Sequence, residues 1–189
     1  MNEVPWYVVF LVLALLVAWA GMLTCFAETK AVGTMRRWPF HTGVVAVRLY
    51  AAPCVSLGSV RTAVTDGAVY SVVSSSECFF VAQGWRSVLS WTRSTSPFRL
   101  KGKATCGPRG VEVVGRISLG ACITIPAMAV WLAGCGLIGV GRSPAFSLIF
   151  VLAGALPLAG TWFSLPREIA AFRATWLSVQ RELGPGAAV

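Results

Sequence analysis

The side chains of this chain that are best suited to nucleophilic or acid–base catalysis are one histidine and six cysteines. His41 follows Trp38-Pro39-Phe40, and any Ser-His-Asp or Cys-His arrangement would have to use it. The sequence holds no Gly-x-Ser-x-Gly nucleophile elbow to accompany it. We therefore predict that His41 is a surface or interfacial residue, that no residue is catalytic, and that the protein is not an enzyme.

Three cysteines, Cys54, Cys78 and Cys106, could in principle join His41 around a zinc ion. None of them belongs to a Cys-x-x-Cys pair, and their spacings match no zinc module. Free cysteine commonly packs as a small apolar side chain, so these thiols are predicted to be buried. The sequence predicts no metal site.

Motifs that bind phosphate or dinucleotide cofactors are also missing. No Gly-x-x-x-x-Gly-Lys phosphate loop occurs, and Asp66, Glu77 and Glu112 are too scattered to predict paired carboxylates. The one Gly-x-Gly-x-x-Gly match, at residues 134–139, falls inside a predicted membrane helix rather than between a strand and a helix. Its glycines are predicted to allow close helix packing, and no cofactor is expected.

Basic residues dominate the charged part of the chain, which has a formal net charge of +9. A local basic run contains Arg99, Lys101 and Lys103, with aromatic residues nearby. Such a run is typical of nucleic-acid binding or of attraction to anionic lipid headgroups. For a domain tethered to a membrane the lipid surface is the simpler partner, so these three residues are predicted to interact there and nucleic acid is not expected.

The elements that carry these residues follow from composition. The chain of 189 residues is 56% hydrophobic and only 12% charged, which is too apolar for an ordinary soluble domain. Three stretches lack charged residues over a length that can cross a bilayer: 4–27, 117–141 and 143–166. We predict a transmembrane helix in each, the last two forming a hairpin. Because no basic residue precedes the first stretch, it is predicted to be a span rather than a cleaved leader.

Basic residues near the ends of the spans predict the orientation. Seven of them lie on one side, against Arg142 on the other: Lys30, Arg36, Arg37, Arg109, Arg116, Arg167 and Arg173. Lys and Arg resist translocation, so the amino terminus is predicted outside and the carboxyl terminus in the cytoplasm of a plasma (inner) membrane.

Residues 28–116 are predicted to form a small β-rich cytoplasmic domain. Asp66-Gly67 separates two alternating runs and favours a tight hairpin, residues 107–110 suggest a second hairpin, and residues 44–50 a further strand. Residues 77–92 fit either a strand or a helix, and we favour a strand followed by an irregular turn.

The tail, residues 167–189, is predicted to contain an amphipathic helix that ends near Leu183. Phe172 and Trp176 are four residues apart and therefore share one face of that helix. This face either lies in the membrane interface or packs on the β domain or a partner, and we take both residues as candidate interaction residues.

The predicted fold class is a membrane α+β protein with three transmembrane helices. Its layout is similar to that of bacterial membrane proteins that carry pleckstrin-homology-like barrels, which implies a barrel for the β-rich domain. We predict a non-catalytic, membrane-anchored interaction or regulatory protein, an accessory subunit that contacts lipid and another membrane protein or itself. The alternatives are an immunity or membrane stress protein that binds a toxin and, third, an enzyme that uses His41 or a thiol.

Overall fold

The computed structural model describes residues 5–51, 57–65, 68–82, 100–108, 110–139 and 143–183. The chain divides into two compact units: unit 1 is Met1–Phe26 with Leu119–Ser164, and unit 2 is Ala27–Ser118 with Leu165–Val189. The elements, in chain order, are α1 (Trp6–Gly33), α2 (Trp38–His41), β1 (Val44–Ala51), β2 (Arg61–Val64), β3 (Ala68–Ser74), β4 (Glu77–Ala82), β5 (Lys101–Gly107), β6 (Gly110–Ile117), α3 (Leu119–Gly139) and α4 (Pro144–Leu183).

Among the described residues, three helices are long and apolar enough to cross a membrane: Trp6–Val32, Leu119–Gly139 and Pro144–Leu183. Many of their large apolar side chains are exposed; Trp162 and Phe163, for example, are 77% and 76% exposed. In water such a surface would be costly, whereas a bilayer core favours it. The prediction of three helices of this kind is confirmed.

Glycines bring the helices of unit 1 close together. A Cβ atom added at Gly134 would lie 2.7 Å from Leu11 Cδ2, and one added at Gly136 would lie 3.0 Å from the carbonyl oxygen of Ser147. At Gly136 the neighbour is backbone, so a side chain there would push α3 and α4 apart, whereas at Gly134 the Leu11 side chain would have to shift. The glycines at residues 134–139 therefore serve helix packing, as predicted.

The strands form one antiparallel sheet in the order β1-β6-β5-β4-β3-β2. Both predicted hairpins are present as the pairs β2–β3 and β5–β6, and the predicted strand at residues 44–50 is β1. The turn residues 66 and 67 themselves lie outside the described residues. The described strands make an open sheet with β1 and β2 at its edges, so the barrel implied by the resemblance is not what they form.

The first part of residues 77–92, whose pattern fits either a strand or a helix, forms the strand β4. Glu77–Ala82 is a strand between β3 and β5, and Cys78, Phe79, Phe80 and Val81 are all buried. A strand covered on both faces has a continuous apolar run rather than alternation, which explains the ambiguity of its pattern. The remainder of that range, from residue 83, lies outside the described residues.

α4 is a single helix of 40 residues that passes through Pro166. The predicted third span and the predicted amphipathic helix are thus two parts of one element. The predicted boundary at Pro166 follows from Arg167, which ends the charge-free stretch 143–166, and a proline inside a helix also removes a backbone hydrogen bond at a cost of roughly 3 kcal/mol. Beyond it, Phe172, Trp176 and Val179 are buried against the sheet, and this packing stabilises the continued helix.

One face of the sheet, the α4 face, is defined by Tyr70, Val72, Phe80, Ala104 and Val113 and is covered by the second part of α4. The opposite face, the α2 face, is defined by Val69, Phe79 and Val81 and is covered by Val32 of α1 and Phe40 of α2. Unit 2 therefore has two apolar layers, one on each side of a single sheet.

Two glycines shape the α4 face where the helix docks. Gly102 on β5 pairs with Gly115 on β6, and a Cβ atom at Gly102 would overlap the Phe80 ring. A Cβ atom at Gly115 would lie 2.5 Å from Val47 Cγ1 and 3.0 Å from Phe172 Cζ. The missing side chains leave a depression that accommodates the aromatic rings of the sheet and of α4.

Candidate interaction site

A buried polar cluster of unit 2 is centred on the carboxylate of Glu28, on the last turns of α1. Lys101 Nζ of β5 lies 3.2 Å from Glu28 Oε1, and the two side chains are 0% and 1% exposed, respectively. Thr42 Oγ1 donates a hydrogen bond to Glu28 Oε1 at 3.0 Å, and Ser118 Oγ donates a short one to Glu28 Oε2. The carboxylate thus joins three segments to the end of α1: β5, the residue after α2, and the residue before α3.

A buried ion pair of this kind carries a large desolvation cost, which is recovered only when the remaining lone pairs are also hydrogen-bonded. Both oxygens of Glu28 meet that condition through Lys101, Thr42 and Ser118. The ion pair of Glu28 and Lys101 specifies which segments pack together, because a different arrangement would leave one of the two charges buried without a partner.

A second polar cluster lies at the edge of the α2 face. Lys103 Nζ is 2.8 Å from Glu77 Oε1, and His41 Nε2 is 3.6 Å from the same oxygen. Lys103 Nζ is also 3.5 Å from His41 Nδ1, and the His41 ring meets Phe79 edge-on at 5.8 Å between centroids. Side chains here are partly exposed, so solvent weakens these charge interactions.

Partial burial lowers the pKa of His41, the Lys103 ammonium lowers it further, and the Glu77 carboxylate acts in the opposite direction. Cys78 lies in the α4 face, on the other side of the sheet, where burial raises the pKa of its thiol to about 12. A thiol with that pKa stays protonated at neutral pH and is a poor nucleophile. This arrangement does not bring His41 and Cys78 together as a catalytic pair.

The predicted interaction residues occupy three different environments. Lys101 is buried on Glu28, and Lys103 pairs with Glu77. Phe172 and Trp176 are each 4% exposed and pack on Phe80, with ring centroids 5.2 Å and 5.3 Å away. Arg99 lies outside the described residues. The aromatic face of the tail helix was predicted either to lie in the membrane interface or to pack on the β domain or a partner. In the structure it packs on the β domain.

Sequence reasoning did not select Glu28, although one signal was present: it is the first charged residue after the charge-free stretch 4–27. It also did not select Arg36, Arg37 and Trp38 as a site. All three are exposed, and in the part of the chain that the structure describes neither arginine makes an ion pair. Arg36 and Arg37, which follow α1, therefore carry exposed positive charge, whereas the charge of Lys101 is buried.

Within the described ranges, no group of three or more His, Cys, Asp or Glu side chains is placed to hold a metal ion. The fold and these clusters define the class: an α+β chain whose three apolar helices could span a membrane and whose open sheet carries internally paired charges. No known family, curated protein or solved structure matches the chain.

Proposed function

We propose that the protein is a non-catalytic, membrane-anchored interaction or regulatory protein that serves as an accessory subunit of a membrane complex. One observation carries the proposal: the helices of unit 1 leave large apolar side chains exposed on more than one helix, including Leu16 and Leu23 on α1 and Leu156 and Phe163 on α4. Lipid must cover part of this surface, and helices of another membrane protein are the other partner of suitable chemistry.

The polar chemistry of unit 2 supports the non-catalytic part of the proposal. Glu28 is held by three donors, and Glu77 lies between Lys103 and His41. Groups engaged in this way maintain the arrangement of strands and helices. Catalytic acids and bases instead need an accessible position beside a substrate.

We further propose that the protein is a multi-pass protein of a bacterial inner membrane, with its amino terminus outside and unit 2 in the cytoplasm. Five basic residues that flank the spans are exposed in the structure: Lys30, Arg36, Arg37, Arg167 and Arg173. Exposed Lys and Arg close to a span are retained on the cytoplasmic side, which supports this orientation.

Photo-crosslinking in living cells tests the proposed association. A benzophenone analogue of phenylalanine at the position of Phe163, which is 76% exposed, should give a discrete adduct with another membrane protein or a second copy. The same analogue at Phe172, which is 4% exposed in the sheet core, is the matched control and should give no intermolecular adduct.

Deletion of this chain should then lower the amount or the activity of the captured protein. Absence of any protein adduct from Phe163, Leu156 and Leu16 in turn would contradict the role of an accessory subunit. Loss of a chemical activity on His41→Ala, with assembly unchanged, would favour the enzyme alternative.

A further inference from the structure

We propose that the basic loop, defined as Arg36, Arg37 and Trp38, binds the phosphate headgroups of anionic phospholipids at the end of α1. The inference rests on the proposed membrane anchoring and adds a lipid class and a site to it. Arg36 lies nine residues after the charge-free stretch 4–27, in a juxtamembrane position of the sequence. A headgroup phosphate is therefore the anion expected beside it in a membrane.

The geometry at the end of α1 holds the start of this loop in place. Met35 N donates to the carbonyl of Val32 at 2.9 Å, and Arg36 N donates to that of Ala31 at 2.9 Å. This pair of bonds is the Schellman ending of a helix, which normally places a glycine where Met35 stands with φ of +50°. The Met35 side chain packs against the apolar cluster on the α2 face, and this packing retains the unusual backbone conformation.

The far end of the loop is held by α2. Phe40 N donates to the carbonyl of Arg37 at 3.1 Å, and the Phe40 ring stacks on Phe79 with centroids 4.6 Å apart and an angle of 11° between the rings. Pro39 and Phe40 are buried, whereas Arg36, Arg37 and Trp38 between the two anchors are exposed. The loop therefore presents two guanidinium groups and an indole from a fixed backbone.

Among the basic residues of unit 2 that have no carboxylate within 4 Å in the described part of the chain, such as Lys30, Arg173 and Arg181, this loop differs in placing two adjacent arginines next to an exposed tryptophan. Lys101, Lys103 and Arg48 each have a carboxylate within 4 Å, whereas the described part of the chain provides none for Arg36 or Arg37. A guanidinium group matches a phosphate with two parallel hydrogen bonds, and tryptophan favours the boundary between headgroups and acyl chains. Two unpaired arginines beside a tryptophan that is 41% exposed fit an anionic headgroup on both counts.

The test uses the full chain, purified in mild detergent and titrated with dioleoyl phosphatidylglycerol or dioleoyl phosphatidylcholine, with bound lipid counted by native mass spectrometry. The wild type should bind phosphatidylglycerol in preference. Arg36→Gln/Arg37→Gln should weaken that binding by about 25-fold, from about fivefold for each basic residue, and leave phosphatidylcholine binding unchanged. Trp38→Ala should weaken it independently of charge.

The matched control is Arg48→Gln/Arg181→Gln, which removes the same charge from exposed positions outside the loop. It should change phosphatidylglycerol binding by no more than about twofold if the site is local, since distant exposed charges are screened. Because all four arginines are exposed, both double variants should keep the thermal midpoint of the wild type, and this is verified before lipid is added.

Three results would overturn the proposal: phosphatidylglycerol binding by Arg36→Gln/Arg37→Gln equal to that of the wild type, an equal loss in the control, or displacement of the lipid by millimolar inorganic phosphate. The last would assign the site to a free anion instead of a lipid. The titration contains no partner protein, so its failure would leave the crosslinking result at Phe163 intact, and failure of the crosslinking would leave this lipid site intact.

Discussion

At the scale of single residues, the buried pair of Glu28 and Lys101 is the interaction whose removal should have the largest effect on stability. Glu28→Leu or Lys101→Met alone leaves the other charge buried without its counterion, so each should lower the free energy of unfolding by about 3–5 kcal/mol. The double variant replaces both charges by apolar groups and should recover most of that loss. Unfolding in detergent, followed for all four proteins, measures the coupling.

The exposed pair of Arg48 and Glu112 serves as its control. Their side chains are 59% and 42% exposed and 3.7 Å apart, so Glu112→Gln should cost less than about 1 kcal/mol. Additive losses for Glu28→Leu and Lys101→Met, without recovery in the double variant, would contradict the pairing.

His41 provides a residue-scale prediction about pH. Its pKa in the folded chain is lowered by burial and by Lys103, with smaller contributions from Arg116 and Arg37 and an opposing one from Glu77. The unfolded chain, with a histidine pKa of about 6.5, then binds a proton more readily than the folded chain. The contribution of His41 to stability is therefore complete above about pH 6.5 and declines as the pH falls towards the folded pKa.

An NMR titration of the imidazole checks this directly, because the chain has one histidine. The midpoint should lie below the usual value of about 6.5. It should move upward in Lys103→Met and downward in Glu77→Gln. A wild-type midpoint at or above that of an unfolded peptide would show that His41 is not placed as described.

At the scale of elements, the docking of α4 on the sheet depends on space left by Gly115. Gly115→Ala would place a methyl group 2.5 Å from Val47 Cγ1 and against Phe172, and overpacking of this kind typically costs about 1–3 kcal/mol. Gly107→Ala in the neighbouring strand is the matched control, because its added Cβ would meet only the carbonyl oxygen of Gly110, at 3.8 Å. Thermal unfolding of the two variants should separate them, and equal midpoints would argue against the close approach.

Trp176 tests the same interface from the side of the helix. Truncation of a buried aromatic side chain typically costs about 3–5 kcal/mol, so Trp176→Ala should destabilise the protein strongly. Leu177, the next residue, is 52% exposed, and Leu177→Ala should have a much smaller effect. If Trp176 were instead quenched by lipid-borne quenchers and its loss left stability unchanged, the helix face would lie in the membrane interface.

At the scale of the whole molecule, the proposed orientation predicts which surfaces are reached from outside the cell. In a variant without its six native cysteines, Ser143→Cys, between α3 and α4, should react with an impermeant maleimide in intact cells. Ser76→Cys, in the turn between β3 and β4, should react only after permeabilisation. External labelling of Ser76→Cys would reverse the proposed topology.

Local properties of the sequence were sufficient to predict the apolar helices and most of the strands, but not the short helix α2 or the continuity of α4. The apolar helices follow from charge-free stretches, because a hydrocarbon core excludes charge over its whole thickness. The β5–β6 hairpin and β1 follow from turn residues and β-branched runs, which act through neighbouring residues. β4 was recognisable from Cys78-Phe79-Phe80-Val81, although its length and its end were not.

Partners and exposure were decided only by the tertiary structure. The run around Lys101 predicted an exposed binding surface, yet the folded chain brings Glu28 to Lys101 from 73 positions away and buries both. Similarly, α4 continues through Pro166 and packs Trp176 on the sheet, which depends on glycines in β5 and β6. A local pattern shows where charge and apolar area are available. The free energy of contacts between distant segments determines which groups meet, because only those contacts remove the groups from water.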